Sequence, residues 1–143
     1  MKLVRVFNEG KVIYKDLYSK LMDLDKHIFY GCGNEFHKNR DWWVVEDKGN
    51  IIAYCGCIYA EGICIFNRAW VQKKYRGQGL QDKMIKKRLQ AAKKTCRVAI
   101  TYTTFDNIYS ANNLIRNKFT LYNPVYTYAG TDKLYFIKYH SYI

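Results

Sequence analysis

The sequence predicts a mixed α/β fold, built on a mostly antiparallel sheet of about seven strands flanked by helices. Three observations carry this. Three strand-like runs follow one another across short Gly-containing turns. An amphipathic helical stretch precedes them, and a long basic one follows. A β-branched run then separates that long helix from a second, shorter one. A chain of 143 residues with one Pro and nine Gly reads as one compact domain over 1–143, with neither linker nor repeat.

Residues 2–7 alternate apolar and basic side chains and predict the first strand, closed by a turn at Asn8-Glu9-Gly10. Within 14–29, Leu17, Leu21, Leu24 and Ile28 share one helical face. Gly31-Cys32-Gly33-Asn34 ends that helix, and 35–40 reads as a polar connection. Trp42-Trp43-Val44-Val45 is apolar on both faces, which predicts a central strand over 41–46. Asp47-Lys48-Gly49-Asn50 and then Glu61-Gly62 are tight-turn sequences, so 51–60 and 63–72 complete an antiparallel meander. A helix from residue 80 to about 94 buries Leu80, Met84, Ile85 and Leu89, with Lys83, Lys86, Lys87, Lys93 and Lys94 around the rest. Residues 96–103 form a strand, and Asp106 or Asn107 caps a helix running to about 117. Two last strands, 119–128 and 133–139, flank Ala129-Gly130-Thr131-Asp132.

Charge is the compositional outlier. Twenty-four Lys and Arg against 12 Asp and Glu give +12, a field that favours polyanions or phosphorylated ligands. One Pro, nine Gly and 17% aromatic residues argue against a disordered chain. The longest apolar run, 51–60, is about half of what a membrane-spanning helix needs. Arg5 falls where a secretory leader would need apolar residues. A cytoplasmic protein with no membrane partner is therefore expected. Cys32, Cys55, Cys57, Cys64 and Cys96 match neither redox nor zinc spacing and read as reduced core residues, so no metal is expected.

The chemically informative segment is Arg76-Gly77-Gln78-Gly79, which follows a strand and opens a helix. Glycines let main-chain N–H groups converge on an anion, and the helix start adds unpaired amides and a positive dipole end. This describes a phosphate cradle. It lacks the Gly-Lys-Ser/Thr of a Walker A loop and the three glycines of a dinucleotide fingerprint. A Gly-rich turn with solvated basic flanks is the alternative reading.

Residues 71–80, Val-Gln-Lys-Lys-Tyr-Arg-Gly-Gln-Gly-Leu, resemble the acyl-CoA-binding motif of the GNAT superfamily of N-acetyltransferases. Asn107-Ile-Tyr-Ser110 running on to Phe119 resembles the family's Asn-x-x-Ser/Ala helix, and residues 43–54 resemble the paired strands before the CoA motif. The resemblance spans about 41–124 and matches the whole element order. It implies a sheet splayed between the fourth strand (63–72) and the fifth (96–103), with the pantetheine arm of acetyl-CoA in the opening. It puts Val71 main chain on the pantetheine or thioester carbonyl. Arg76, Gly77, Gln78, Gly79, Leu80 and Gln81 would hold the pyrophosphate, and Asn107 and Ser110 would face the co-substrate from the second helix. The implied reaction is direct attack of a primary amine on the thioester.

The chain departs from the family at three positions. Gln81 stands where Gly or Ala is usual, Lys118 replaces a Gly before Phe119, and Leu114 replaces a tyrosine that protonates the leaving thiolate. Tyr109, Tyr126 and Tyr128 are substitutes for that tyrosine, with Tyr126 taken as the catalytic candidate. Glu61 and Glu46 are the candidate proton relays on the acceptor side. Arg68 and Trp70 are placed to line the acceptor pocket. The acceptor itself would be shaped by 29–40 and 122–132, and the charge suits an acidic protein or an RNA-linked amine. Aromatics on the last strands suit a homodimer. Two other readings stand beside the enzyme: a basic nucleic-acid-associated protein, and a catalytically weak CoA-binding module.

Overall fold

The computed structural model describes residues 1–30 and 39–140, so the expected helix break at 31–34 lies outside the described residues, as does most of the connection after it. In chain order the strands are β1 (Lys2–Asn8), β2 (Lys11–Val12), β3 (Arg40–Asp47), β4 (Asn50–Ala60), β5 (Ile63–Val71), β6 (Val98–Thr104), β7 (Thr120–Tyr122) and β8 (Lys133–Tyr139). The helices are α1 (Lys15–Ile28), α2 (Leu80–Ala92) and α3 (Ile108–Arg116). All eight strands form one sheet in the order β2-β1-β3-β4-β5-β6-β8-β7. Every pairing is antiparallel except β5 with β6.

Three two-residue turns, Glu9-Gly10, Lys48-Gly49 and Glu61-Gly62, have positive φ at both residues. That is the turn whose twist matches the strands it joins, and it sets the meander's register from Asp47↔Asn50 and Ala60↔Ile63 onward. Alternation along the strands then separates two cores. Trp42, Val44 and Tyr54 face α1 with Val6, Phe7 and Leu21, whereas Trp43, Val45, Cys55 and Cys57 face α2 and α3. Cys55, Cys57, Cys64 and Cys96 are free thiols buried in the second core, and burial pushes the Cys55 thiol up to about 12. Gly56 is required by packing, since a Cβ there would lie 2.8 Å from the Trp42 ring.

Two elements differ from expectation. The Glu9-Gly10 turn produces an eighth strand, β2, because Lys11 and Val12 pair back onto Asn8 and Phe7. The strand expected over 119–128 is reduced to Thr120–Tyr122. Pro124 follows, and its missing N–H and fixed φ prevent the ladder from continuing.

The end of α3 shows how Lys118 replaces the expected glycine. Phe119 N–H donates to Leu114 O at 3.0 Å and Lys118 N–H to Ile115 O at 2.9 Å, a Schellman cap. Lys118 takes the left-handed conformation, φ 71, which glycine adopts without strain. Lys118→Gly is therefore expected to stabilise the fold by about 1 kcal/mol, seen in a thermal melt as a rise of roughly 2–5 °C. A lower midpoint would contradict the cap.

Candidate active site

The parallel pair β5–β6 holds register for only three residues, Ile63↔Val98, Cys64↔Ala99 and Ile65↔Ile100. Beyond these the strands diverge, and Thr101 Oγ1 donates to Phe66 O at 3.1 Å where the gap opens. The divergence begins at a bulge: the β4–β5 register shifts between Gly56↔Arg68 and Cys57↔Phe66, leaving Asn67 unopposed. Arg88 of α2, 3% exposed, lies under this bulge. Its Nη1 donates to Gly56 O at 3.4 Å and Arg68 O at 3.3 Å, and its Nε to Met84 O at 3.3 Å. The guanidinium also sits 4.2 Å over the Phe66 ring. A buried cation thus satisfies carbonyls at the break in the ladder.

Farther along β5, Gln72 N–H donates to Ile52 O at 2.8 Å while Val71 stands opposite Ala53. Val71 is therefore a non-hydrogen-bonded pair with β4, and its own N–H and C=O point into the gap. Arg76 Nε donates to that carbonyl at 3.0 Å, which leaves the Val71 N–H directed at the opening.

A single helical turn, Lys73–Tyr75, leads to the cradle. Gly77 and Gly79 have φ of 80 and 78, and a Cβ added at either would meet nothing within 4 Å. The positive φ supplies the reason for glycine, and the open space over the backbone leaves room for an anion. Gly79 caps α2, whose first helical bond runs from Lys83 N–H to Gly79 O at 3.1 Å. The amides of Leu80, Gln81 and Asp82 thus have no partner within the helix. Leu80's side chain is in the core, so only its main chain reaches the cradle.

Gln81 turns away from the cradle and joins α2 to α3. Its Nε2 donates to Ser110 Oγ at 2.8 Å, and its Oε1 accepts from Asn113 Nδ2 at 3.0 Å. Next to it, Asp82 Oδ1 accepts from Asn117 Nδ2 at 2.7 Å, and its other oxygen holds Lys86. Ser110, Asn113 and Asn117 are three and seven residues apart, one stripe on α3. Asn107 accepts from Ser110 N–H at 3.1 Å and caps the helix.

Two cavities that share part of their lining occupy the gap. The outer, about 800 Å³, is lined by Val71, Arg76, Gly77, Gln81, Asn107 and Ser110 among others. The inner, about 210 Å³, is lined by Phe29, Asn67, Arg68, Arg88, Thr103 and Leu114 among others, and shares Gln81, Asn107 and Ser110 with the outer. On the α1 side, Asp25, 1% exposed, accepts from Tyr54 OH at 2.8 Å and from Arg68 Nε at 3.1 Å. Burial, then the bond to Asp25, pushes the Tyr54 hydroxyl far above its ordinary range. Arg68 packs 4.8 Å over the Phe29 ring, and Trp70 packs on Tyr54 and lines the outer cavity.

The structure thus brings Val71, Arg76, Gly77, Gln81, Asn107 and Ser110 to one cavity, with Gln78, Gly79 and Leu80 in the chain between them. It does not bring the three catalytic candidates there. Glu46 lies on β3 between Lys2 and Ile51, two strands from β5. Glu61 occupies the hairpin at the closed end of the β5–β6 pair, lining a separate hollow with Arg97 and His140. Tyr126 is 78% exposed and lines none of the cavities in the gap. Of the other tyrosines, Tyr109 lines the outer cavity, while Tyr128 packs against Tyr102 and Tyr135. Asn67, Arg88, Thr103 and Asp25 were not singled out by the sequence. Arg88 had a signal: it sits four residues after Met84 and four before Ala92, in the middle of the apolar stripe.

Residues 38–119, more than half of the chain, match the family model of the acetyltransferase (GNAT) domain. The chain belongs to this family, a class of N-acetyltransferases. Solved structures share the fold. An acetyltransferase of the GNAT family from Streptococcus pneumoniae superposes with a TM-score of 0.73 at 13% identity, over 98% of this chain and 100% of that one. One from Staphylococcus aureus gives 0.67 at 16%, over 98% and 100%. A protein assigned as a streptothricin acetyltransferase from Bacillus anthracis, solved with acetyl coenzyme A, gives 0.62 at 18%, over 72% and 64%. No curated protein matches the chain. Among the described residues, no helix is long and apolar enough to cross a membrane.

The α2–α3 junction generates a pH test. Bonds from Lys86 and Asn117 hold the Asp82 carboxyl below its ordinary range. A depressed carboxyl stabilises the fold fully above its unfolded pKa, and that contribution is lost as pH falls through the folded value. Asp82→Asn is expected to flatten the acid limb of the stability curve below about pH 4, measured by urea unfolding across pH. An unchanged limb would remove Asp82 from the junction.

Proposed function

We propose that this protein transfers an acetyl group from acetyl-CoA to a primary amine. The observation that carries the reading is the pair of left-handed glycines, Gly77 and Gly79, facing open space at the start of α2 and beside Arg76. Amides of 77–82 and the helix dipole suit a diphosphate, and Arg76 adds a full charge. The residues present fit the co-substrate: the outer cavity runs from this cradle along β5 at Val71, Trp70 and Ala69, and Gln81, the one bulky substitution, is folded onto α3. Asn107 and Ser110 form the opposite wall.

When bound, acetyl-CoA supplies an activated acyl carbon. The amine nitrogen forms a bond to that carbon, the carbon–sulfur bond breaks, and the proton lost from nitrogen balances the departing thiolate. The Val71 N–H, turned into the gap, is the donor available to a carbonyl oxygen gaining charge. Leu114 lines the inner cavity and gives no proton. We assign the donation of that proton to Tyr109, a residue of the outer cavity's wall, and a thiolate of pKa about 8.5 also leaves unaided. Glu46, Glu61 and Tyr126 have no step in this scheme, because none of them lines the gap.

Acetyl-CoA at a hundred times its dissociation constant is expected to stabilise the protein by about 2.7 kcal/mol, read as a higher melting temperature. Arg76→Glu is expected to remove that shift, while the ligand-free protein still unfolds in one cooperative transition, at a lower midpoint because the Val71 carbonyl loses its donor. Thiol release in the presence of amines measures turnover. No shift at millimolar acetyl-CoA would overturn the proposal.

A further inference from the structure

The solvent face of α2 carries a feature that acetyl-CoA does not account for. At 3.6 residues per turn, positions 83, 86, 87 and 90 share one side of the helix, and the turn after it continues that side with 93 and 94, an arc of about 120° in all. Five of these six residues are lysine and the sixth is Gln90. All six are exposed. Lys86 is held by Asp82, whereas among the described residues no ion pair engages Lys83, Lys87, Lys93 or Lys94. At the rise of an α-helix the row is about 16 Å long. Lys87 and Lys94 also border a hollow of about 410 Å³ against β1 and β3. Its carboxylates are Asp41, already engaged by Arg5 and Tyr59, and Glu9. The row therefore keeps most of its positive charge.

What this face lacks identifies its partner. Among the described residues, no large hydrophobic side chain between Tyr30 and Phe105 is exposed, so none lies on it. A helix that binds a membrane surface needs apolar side chains to insert. A protein partner needs an apolar or aromatic interface core. Single-stranded nucleic acid is held largely by stacking on aromatic rings. A duplex asks for none of these, because its bases are stacked within and its outer surface is a dense array of phosphates. From the lysine row and these absences we infer that the solvent face of α2 and the turn after it is a docking surface for a nucleic-acid duplex, contacted through its phosphates. Such contact is rapid, blind to sequence and sensitive to salt. It is separate from the acetyltransferase reading, since the cradle opens at the start of α2 and Lys87, Lys93 and Lys94 lie two turns or more beyond it.

The test uses the full chain and the fluorescence anisotropy of a labelled DNA duplex of about 20 base pairs. Affinity is expected to fall as salt rises from about 50 to 200 mM, with a log–log slope of about −3 to −4, as four phosphate contacts require. Lys87→Gln, Lys93→Gln and Lys94→Gln together are expected to weaken binding at least about tenfold at the low-salt end and to make the slope shallower by about 2 to 3. Lys2→Gln, Lys15→Gln and Lys26→Gln together remove the same charge from the α1 side of the sheet, and are expected to cost less than about threefold. A second duplex of unrelated sequence is expected to bind within about twofold of the first. Both triple variants are expected to melt near the parent midpoint, as exposed substitutions do, and to keep the acetyl-CoA shift. Equal losses in the two variants would overturn the inference by reducing it to net charge. So would tighter binding to the separated single strand, to phosphatidylserine vesicles or to poly-glutamate, each of which names a different partner. Failure of the duplex to bind at about 50 mM salt would overturn it as well.

Discussion

Opening a β-sheet between two strands exposes backbone donors and acceptors that the ladder would otherwise pair, and every feature around the β5–β6 gap answers that constraint. Three parallel register pairs hold the strands together at one end. Past them, Thr101 Oγ1 takes the Phe66 carbonyl, Arg88 takes those of Gly56 and Arg68, and Arg76 takes that of Val71. Unpaired carbonyls in a buried site would be costly, so these side chains make an open sheet compatible with a folded core. These four carbonyls are satisfied, and the Val71 amide faces the gap as a donor.

The second requirement is that the walls keep their separation. The gap is bounded by β5 and its bulge on one side and by β6 and α3 on the other. The α3 wall is pinned by polar contacts rather than by a hydrophobic seam alone. Gln81 and Asp82, adjacent at the first turn of α2, reach Ser110, Asn113 and Asn117 along one stripe of α3. The Schellman cap then turns the chain so that Phe119 packs on Phe66 at 5.7 Å between ring centroids. Directional bonds specify distance where apolar packing would tolerate sliding. The longer side chain at position 81 is thus a strut, and the glycines at 77 and 79 remain the residues that shape the cradle.

Much of this was legible in the sequence because it rests on local chemistry. Each X-Gly turn, the leucine spacing of α1 and the glycine pair before α2 declare themselves within a few residues. So did the splay, through the order of elements that the GNAT resemblance carries. The parts that were not legible depend on partners distant in sequence. Asp25, Tyr54 and Arg68 meet only once α1 lies on the sheet. The Asn67 bulge has no residue-type signature, because an extra residue in a strand is visible only against its neighbour. Glu46 and Glu61 looked close to the site because they flank its strands in sequence, yet they lie where the sheet's other strands and its closed end place them. The strand at 119–128 shows the opposite error: Pro124 was visible, and its effect on the ladder outweighed the aromatic and β-branched residues around it.

The net charge of +12 divides into parts with different consequences. Lys83, Lys86, Lys87, Lys93 and Lys94 lie exposed along and just beyond α2, where solvent and salt screen them and where they serve encounter more than affinity. Arg40, Arg68 and Arg88 are different. They lie within the protein beside aromatic rings, at 4.6, 4.8 and 4.2 Å. Burial and the neighbouring Arg68 lower the Arg40 guanidinium to about 10, while Asp25 opposes that shift. Asp25 pairs with Arg68 and offsets part of this charge, in surroundings where screening is weak. These buried contacts persist at high salt, unlike the field of the exposed lysines.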